Sequence, residues 1–430
     1  RHTRCLSDWS LDVCSSDLAG GDRRIAACRT VAAGIPAALA GWAAVTLGMG
    51  RMPASLWTAW LRPVADLILP VTLLRGRSRD SGEEVVVVVA GALPRIAWLI
   101  GHVFAAPPAR EPLGHVPAWR LARTLRRHGA CADFAIARVA RMSAHALGFD
   151  GDWLPVPDWV GTRLTAPFDL DAIARRSHSV SDDLRRVRRA ACIAELSRRA
   201  GDLPSFRHDY YLPFIRRRYR EYAVPRSPRH LRRRFRRGGI LWIARGGTRI
   251  AGVLFDLRHR VLDAVALGVR EGDAALVHDG AIAACYACLL SHAQATGCHA
   301  VDLRGSRPSP SDGVTRYKRK WGAELYDRAD VVSTTFVRWN RVTPAVASLL
   351  ARFPLIFREH GGLSVLGVES GAGAASDLEA MRMAGLRRTI LATRGDRRAE
   401  ALTGEGVSIV PLRDDSTPRA LLAAARAGSR

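Results

Sequence analysis

The sequence predicts an α/β (α+β) protein in which a mixed sheet carries flanking helices. Three observations predict it. The runs ILWIA (Ile240 to Ala244) and IAGVLFDL (Ile250 to Leu257) flank Arg245-Gly246-Gly247-Thr248, a hairpin pattern, and Val261 to Val269 adds a third antiparallel strand. Ala274 to Ala295 then carries apolar residues at helical spacing: Ile282, Cys285, Tyr286, Leu289 and Ala293. A short apolar strand, Ala300 to Leu303, follows that helix, and a crossover of this length lets it lie parallel to the third strand.

The chain has 430 residues, 48% of them hydrophobic, which is enough for two or three domains with their own cores. Its formal charge of +25 calls for an anionic partner or a basic, solvated surface. Charge alone does not choose among a nucleotide, RNA and an acidic membrane surface. Eight cysteines show no disulfide framework. Cys285 and Cys288 make a single CxxC within a helix, without the second pair that a zinc site needs, so no metal is expected. A cytoplasmic location fits this usage, with a peripheral position on the inner membrane as the alternative.

In chain order, residues 1–18 come first, and Asp8 to Leu18 resembles a translated sequencing adapter, so this segment is expected to be non-native. Residues 19–80 read as an apolar helical segment. Thr30 to Gly50 is uncharged and long enough to span a bilayer, but Pro36 breaks it. With Leu56 to Leu74 it reads as a membrane hairpin or, the favoured reading, as helices packed on the next domain. Residues 81–180 form an α/β unit: a strand at Val85 to Gly91, helices at Pro94 to Phe104 and Ala118 to His128, and a strand at Ala132 to Val139. Prolines keep Leu154 to Leu164 extended. Residues 181–345 form the main domain, closing with a strand over Tyr326 to Arg338. Residues 346–430 read as a helix, a linker and a small α/β appendage.

One stretch concentrates chemistry: Cys298 to Gly322, CHAVDLRGSRPSPSDGVTRYKRKWG. It holds the chain's only two lysines, Lys318 and Lys320, in one turn of a short helix. A lysine is a compact point charge that arginine does not replace. The bland alternative is a solvated helix face. Together with YYLPFIRRR, LGVREGD and HDGA, this stretch resembles the FemAB-like branch of the GNAT acyltransferase superfamily, over about Ser181 to Arg338. By analogy of fold, Val85 to Leu164 is then a degenerate first half of a duplicated GNAT fold.

The resemblance implies an N-acyltransferase that moves an acyl group from acyl-CoA (acetyl-CoA) to an amine of a small molecule or cell-envelope or exopolysaccharide precursor. Two alternatives stay open: an aminoacyl-tRNA-dependent transferase, and a non-catalytic basic binding protein of the same fold. Val269, Arg270 and Gly272 stand where such a fold holds the donor's pyrophosphate. Glu271 and Asp273 depart from a glycine-rich loop, and Asp273 reads equally as an N-cap. Asp302, at the end of a parallel strand, is placed to accept a proton or to pair with Arg304 or Arg307. Tyr317 is placed to protonate a leaving group or to anchor the core. Arg307 and Lys318 could clamp an anion, with Arg304, Ser306, Asp312 and Lys320 around the substrate. Asp312 also reads as the cap of the lysine helix. The arginines between Arg216 and Arg237 suit tRNA or an anionic membrane surface, or are a solvated pair of helices.

Overall fold

The computed structural model describes residues 68–141, 144, 147–219, 223, 225–359, 361–395 and 404–427. The adapter-like segment, Thr30 to Gly50 and the first part of Leu56 to Leu74 lie outside the described residues. No helix among the described residues is long and apolar enough to cross a membrane.

The first sheet begins with β1 (Ile68–Arg77) and β2 (Glu84–Ala90), which pair antiparallel. The expectation of a helix up to Leu74 is therefore corrected from Ile68 onward. Leu69, Val71 and Leu73 point inward at strand spacing, and this period of two suits a sheet face. β1 runs on to Arg77, and a short turn joins it to β2. After β2 come helix α1 (Leu93–Val103), strand β3 (Ala109–Pro117) on the outer edge of β1, helix α2 (Ala118–His128), and β4 (Phe134–Ala140), parallel to β2.

The extended segment after it splits between two sheets. β5 (Leu154–Pro157) stays with the first, whereas β6 (Val160–Thr165) enters the second. Helices α3 (Leu170–Arg176) and α4 (His178–Arg189) lead to β7 (Ile193–Ser197). Continuous helical turns follow: Asp202–Ser205, a π-helical Phe206–Tyr211, and α5 (Leu212–Tyr219). Helix α6 (Pro228–Phe235) precedes β8 (Gly238–Arg245), β9 (Thr248–Arg258) and β10 (Val261–Val269), the expected antiparallel meander. The long crossover helix is two helices, α7 (Ala274–His278) and α8 (Ala281–Ala295). Gly280 divides them at φ 98°, a left-handed value that glycine adopts without steric cost. Then come β11 (Ala300–Ser306), helix α9 (Gly313–Lys320) and β12 (Glu324–Tyr326).

The predicted strand Tyr326 to Arg338 is also two strands. β13 (Ser333–Arg338) leaves the second sheet and inserts between β4 and β5 of the first. The second sheet thus has the order β12-β6-β11-β10-β9-β8-β7, and the first β3-β1-β2-β4-β13-β5. Each sheet borrows a strand from the other half of the chain. Helix α10 (Pro344–Arg352) leads to a third sheet of β14 (Leu355–Glu359), β15 (Gly362–Val368), β16 (Leu386–Thr393) and β17 (Val407–Pro411), with helices α11 (Ala374–Met381) and α12 (Pro418–Ala427). The protein is a mixed α/β fold with flanking helices, as the sequence predicts. The core of the second sheet gathers α8, β8 to β10, the aromatic residues Phe206, Tyr211 and Trp242, and Trp321 from the end of α9.

Candidate functional site

The parallel strands β10 and β11 are paired only from Val261 to Asp263 and from Ala300 to Asp302. Beyond that point they part. β10 carries a bulge between Ala264 and Ala266, and the register of β11 shifts between Asp302 and Gly305. Arg304 lies in this shift at φ 63°, outside ordinary strand geometry. Where two strands separate, ladder groups lose their partners, and the sheet acquires a fork.

Register places a row of charge across this fork. Asp256 of β9 is opposite Asp263 of β10, Asp263 is opposite Asp302 of β11, and Asp302 is opposite Arg163 of β6. Like charges directly opposite one another destabilise a sheet, so three adjacent aspartates need counter-charges. Arg234 donates to Asp256 at 2.6 Å and reaches Asp263 at 3.3 Å. Arg237 adds two bonds to Asp256, at 2.9 and 2.5 Å. Burial pushes the Asp256 carboxyl up, but the bonds from Arg237 and Arg234 outweigh it and hold the group below the usual range. Arg304 pairs with Asp263. For Asp263 burial dominates, and with the charges of Asp302 and Asp256 it outweighs Arg304 and Arg234, moving the carboxyl from 3.8 up to about 6. Its Oδ1 is buried and has no hydrogen-bond partner among the described residues.

The residues expected from sequence fall into three groups. Asp302 lies in the row, but its oxygens are engaged: Oδ1 accepts from the Arg304 backbone N–H and Oδ2 from the Tyr326 hydroxyl, both at 2.7 Å. Arg304 is at the fork itself. Ser306 is fully buried, and its Oγ has no partner among the described residues.

The second group is structural. Lys318 is buried, and its ammonium donates to the carbonyls of Arg304 (3.2 Å) and Gly305 (2.8 Å), so it fastens the distorted end of β11 to α9. Tyr317 is placed as a core ring: it is buried edge-on to Tyr286, and burial pushes its hydroxyl well above the usual range. Lys320 forms an ion pair with Asp183 of α4 and sits 4.1 Å from the centre of the Tyr317 ring. Asp312 caps α9, accepting from Val314 and Thr315 N–H groups at 3.1 and 3.0 Å. Arg307 lies over two indole rings, its guanidinium 3.8 Å from the centre of the Trp159 ring and 5.3 Å from that of Trp98.

The third group is the donor loop. Val269 and Gly272 are buried, and a Cβ at Gly272 would stand 2.8 Å from the Pro213 carbonyl, so α5 roofs the loop. Arg217 donates to the Gly272 carbonyl at 3.2 Å. Asp273 caps α7, accepting from Ala275 N–H at 2.7 Å. A carboxylate thus takes a helix-terminal N–H that would otherwise face an anion, and Glu271 is exposed beside it. Arg270 is the loop's one cation. These residues do not make a pyrophosphate cradle of the usual kind.

Sequence reading missed Asp256 and Asp263, and took Arg234 and Arg237 only as part of the run Arg216 to Arg237 suited to tRNA or a membrane surface. A signal existed: aspartate is depleted in strands, and counting back from the two-residue turn His259-Arg260 sets Asp256 against Asp263. Among the described residues no group of three or more His, Cys, Asp or Glu is placed to hold a metal.

No family profile matches this chain, and neither does any curated protein. Similar solved structures include the C-terminal DUF2156 domain of a protein assigned as a lysylphosphatidylglycerol synthetase from Agrobacterium fabrum. It is 10% identical with a TM-score of 0.31, over 64% of this chain and 86% of that one. L-PGS from Bacillus licheniformis is 12% identical, with a TM-score of 0.32 over 64% and 87%. A GCN5-related N-acetyltransferase from Sphaerobacter thermophilus is 14% identical, with a TM-score of 0.27 over 62% and 76%.

Proposed function

We propose that this chain is an acyltransferase that joins an acyl or aminoacyl group to an amine at the fork between β10 and β11. The observation that carries the reading is the buried, unpartnered Oδ1 of Asp263 at the point where the two strands part. An amine in water is largely protonated and must lose a proton before it can attack. A carboxylate with its affinity raised to about 6 remains mostly ionised at neutral pH and is a stronger base than an ordinary one. In the proposed step an acceptor ammonium gives one proton to Asp263, and its nitrogen bonds to the acyl carbon. The bond from that carbon to the donor's sulfur or oxygen then breaks, and the leaving group takes the second proton from nitrogen. Arg304 keeps Asp263 in place.

Acyl-CoA is the donor implied by the sequence resemblance, and an amine on a small molecule or cell-envelope precursor is the acceptor. A second reading, with an aminoacyl-tRNA as donor, is favoured by the acidic, roofed loop at Arg270 to Asp273. A thermal-shift titration of the protein with acetyl-CoA and palmitoyl-CoA separates the two, because a ligand of the folded state raises apparent stability. A saturable shift that disappears in Arg270→Ala supports the first reading. No shift, with transfer of radiolabelled amino acid from tRNA to a primary amine, supports the second. Absence of both binding and transfer sinks the acyltransferase reading altogether.

A further inference from the structure

A pocket of about 690 Å³ opens beside the start of β8. Arg198, Arg232, Arg236 and Arg237 wall it, over the apolar surface of Phe235 and Leu203. All the charged side chains lining it are arginines. In a chain with 65 Arg plus Lys against 40 Asp plus Glu, composition alone could produce such a patch. What sets this patch apart is that two of its four arginines are held in place beside the apolar floor. Arg232 and Arg236 are exposed and have no ion-pair partner among the described residues. Arg198 is braced by its Nε bond to the Gly238 carbonyl at 3.2 Å, and Arg237 by its two bonds to Asp256. Two braced and two exposed guanidinium groups around an apolar floor make a site for a doubly charged oxyanion. A planar fork of donors suits a phosphate better than a single point charge does.

Position relates this pocket to the fork. Gly238 pairs with Asp256, and Asp256 pairs with Asp263. Two interstrand steps separate the pocket's edge from the proposed reacting nitrogen, about 10 Å at the usual strand spacing. Arg237, Asp256, Arg234, Asp263 and Arg304 form one unbroken chain of ion pairs between them.

We propose that the pocket of Arg198, Arg232, Arg236 and Arg237 binds a phosphate ester, and that this ester is the acceptor's own phosphate, held while its amine reaches Asp263. The acceptor role rests on the acyltransferase reading; the phosphate site does not. The donor loop lies at the other end of β10, so donor and acceptor would approach the fork from opposite sides.

The test is binding, measured by calorimetry and thermal shift on the full chain without any acyl donor. The probes are inorganic phosphate, glucosamine 6-phosphate and glucosamine. Vesicles of phosphatidylcholine, with and without phosphatidylglycerol, distinguish a lipid headgroup from a soluble phosphate. The expected result is saturable binding of the two phosphate probes and no binding of glucosamine; selective binding of the phosphatidylglycerol vesicles alone, a lipid without an amine, would keep the phosphate site and overturn the acceptor role. Affinity should fall at least tenfold in the Arg232→Gln/Arg236→Gln variant and stay unchanged in Arg120→Gln/Arg123→Gln, which alters exposed arginines elsewhere. The altered side chains are exposed, so an unchanged melting temperature without ligand confirms that the variant folds. Equal binding by wild type and the Arg232→Gln/Arg236→Gln variant overturns the proposal, as does failure of every phosphate probe or binding of tRNA alone. A protein that binds phosphate here yet transfers no acyl group would keep the pocket and lose only the acceptor role.

Discussion

Arg304 and Asp263 meet across the fork, an ion pair between the last backbone-paired residue of β10 and a residue of β11 two positions past its partner Asp302. The backbone of Arg304 is left-handed, and the Asp302 carboxylate accepts its N–H. Thr162 and Lys318 both donate to its carbonyl. A strained position held by this many bonds is over-determined, and strain of that kind gathers where a structure must present a group in one orientation. What Arg304 presents is Asp263, held with one carboxylate oxygen engaged and the other without a partner.

The first prediction concerns that carboxylate. The Asp263 carboxyl is raised from 3.8 to about 6 in the folded protein, so the folded state holds its proton more tightly than the unfolded chain does. The group's contribution to stability therefore falls as pH climbs from about 4 to about 6, and is level above that. Asp263→Asn cannot titrate, so its stability relative to wild type should improve across this window. Urea midpoints from pH 4 to pH 7.5 check it, and a constant difference would refute the raised affinity. In a transfer assay the same variant should lose about a hundredfold or more of kcat/KM, and the limb of the pH profile near 6 should vanish.

Lys318 predicts a stability effect in place of a catalytic one. Lys318→Met removes the donor to the Gly305 carbonyl, which is left buried without that bond, while the Arg304 carbonyl keeps the Thr162 hydroxyl at 2.7 Å. The expected loss is about 1–3 kcal/mol by urea denaturation. Lys318→Arg should not restore it, because a planar guanidinium does not fit a site shaped around one ammonium. A loss below about 0.5 kcal/mol would mean that the contact is incidental.

Much of the second sheet was legible because its strands are local. The hairpin about Gly246-Gly247, the third strand and the crossover helix all follow from turn chemistry and periodicity in adjacent segments. What escaped was non-local. Nothing in LPVPDWVGTRL states that Pro157 and Val160 belong to different sheets, nor in Tyr326 to Arg338 that the chain changes sheets between them. The site divides the same way. The sequence drew attention to Asp302 and Arg304 because they sit in a dense motif, and both are at the fork. It overlooked Asp263, a single acidic residue in an apolar strand whose meaning depends on the strands beside it. The two lysines did carry a specific role, but that role is to hold β11 and α4 against the lysine helix.

His102 gives a pH effect of opposite sign to that of Asp263. It stacks on Phe353 at 3.8 Å, and Arg352 donates to its Nδ1 at 3.2 Å. Burial first, then the charges of Arg352, Arg79 and Arg307, lower its affinity for a proton from 6.5 to about 3. The unfolded chain therefore binds this proton and the folded one does not, so the stability contributed here is lost as pH falls from about 6.5 toward 3. His102→Gln keeps an acceptor for Arg352 and cannot be protonated. Its melting temperature should fall less than that of wild type between pH 7 and pH 4.5. Parallel curves would show that acid sensitivity arises elsewhere.

The strand exchange makes a claim about folding units. Residues 181–345 look separable in sequence, yet their sheet needs β6, which lies between β11 and β12 and pairs with both. The same fragment would carry β13 without its partners β4 and β5. Cutting near residue 180 leaves one edge of β11 open and exposes β13, a strand whose first five residues are all buried in the intact chain. Unpaired edges of this kind recruit other chains. A fragment of residues 181–345 should therefore aggregate or lack a cooperative melting transition. Residues 68–427 should melt cooperatively. Size-exclusion chromatography and calorimetry of the two decide the matter, and a monomeric, cooperative 181–345 fragment would show that the exchanged strands are dispensable.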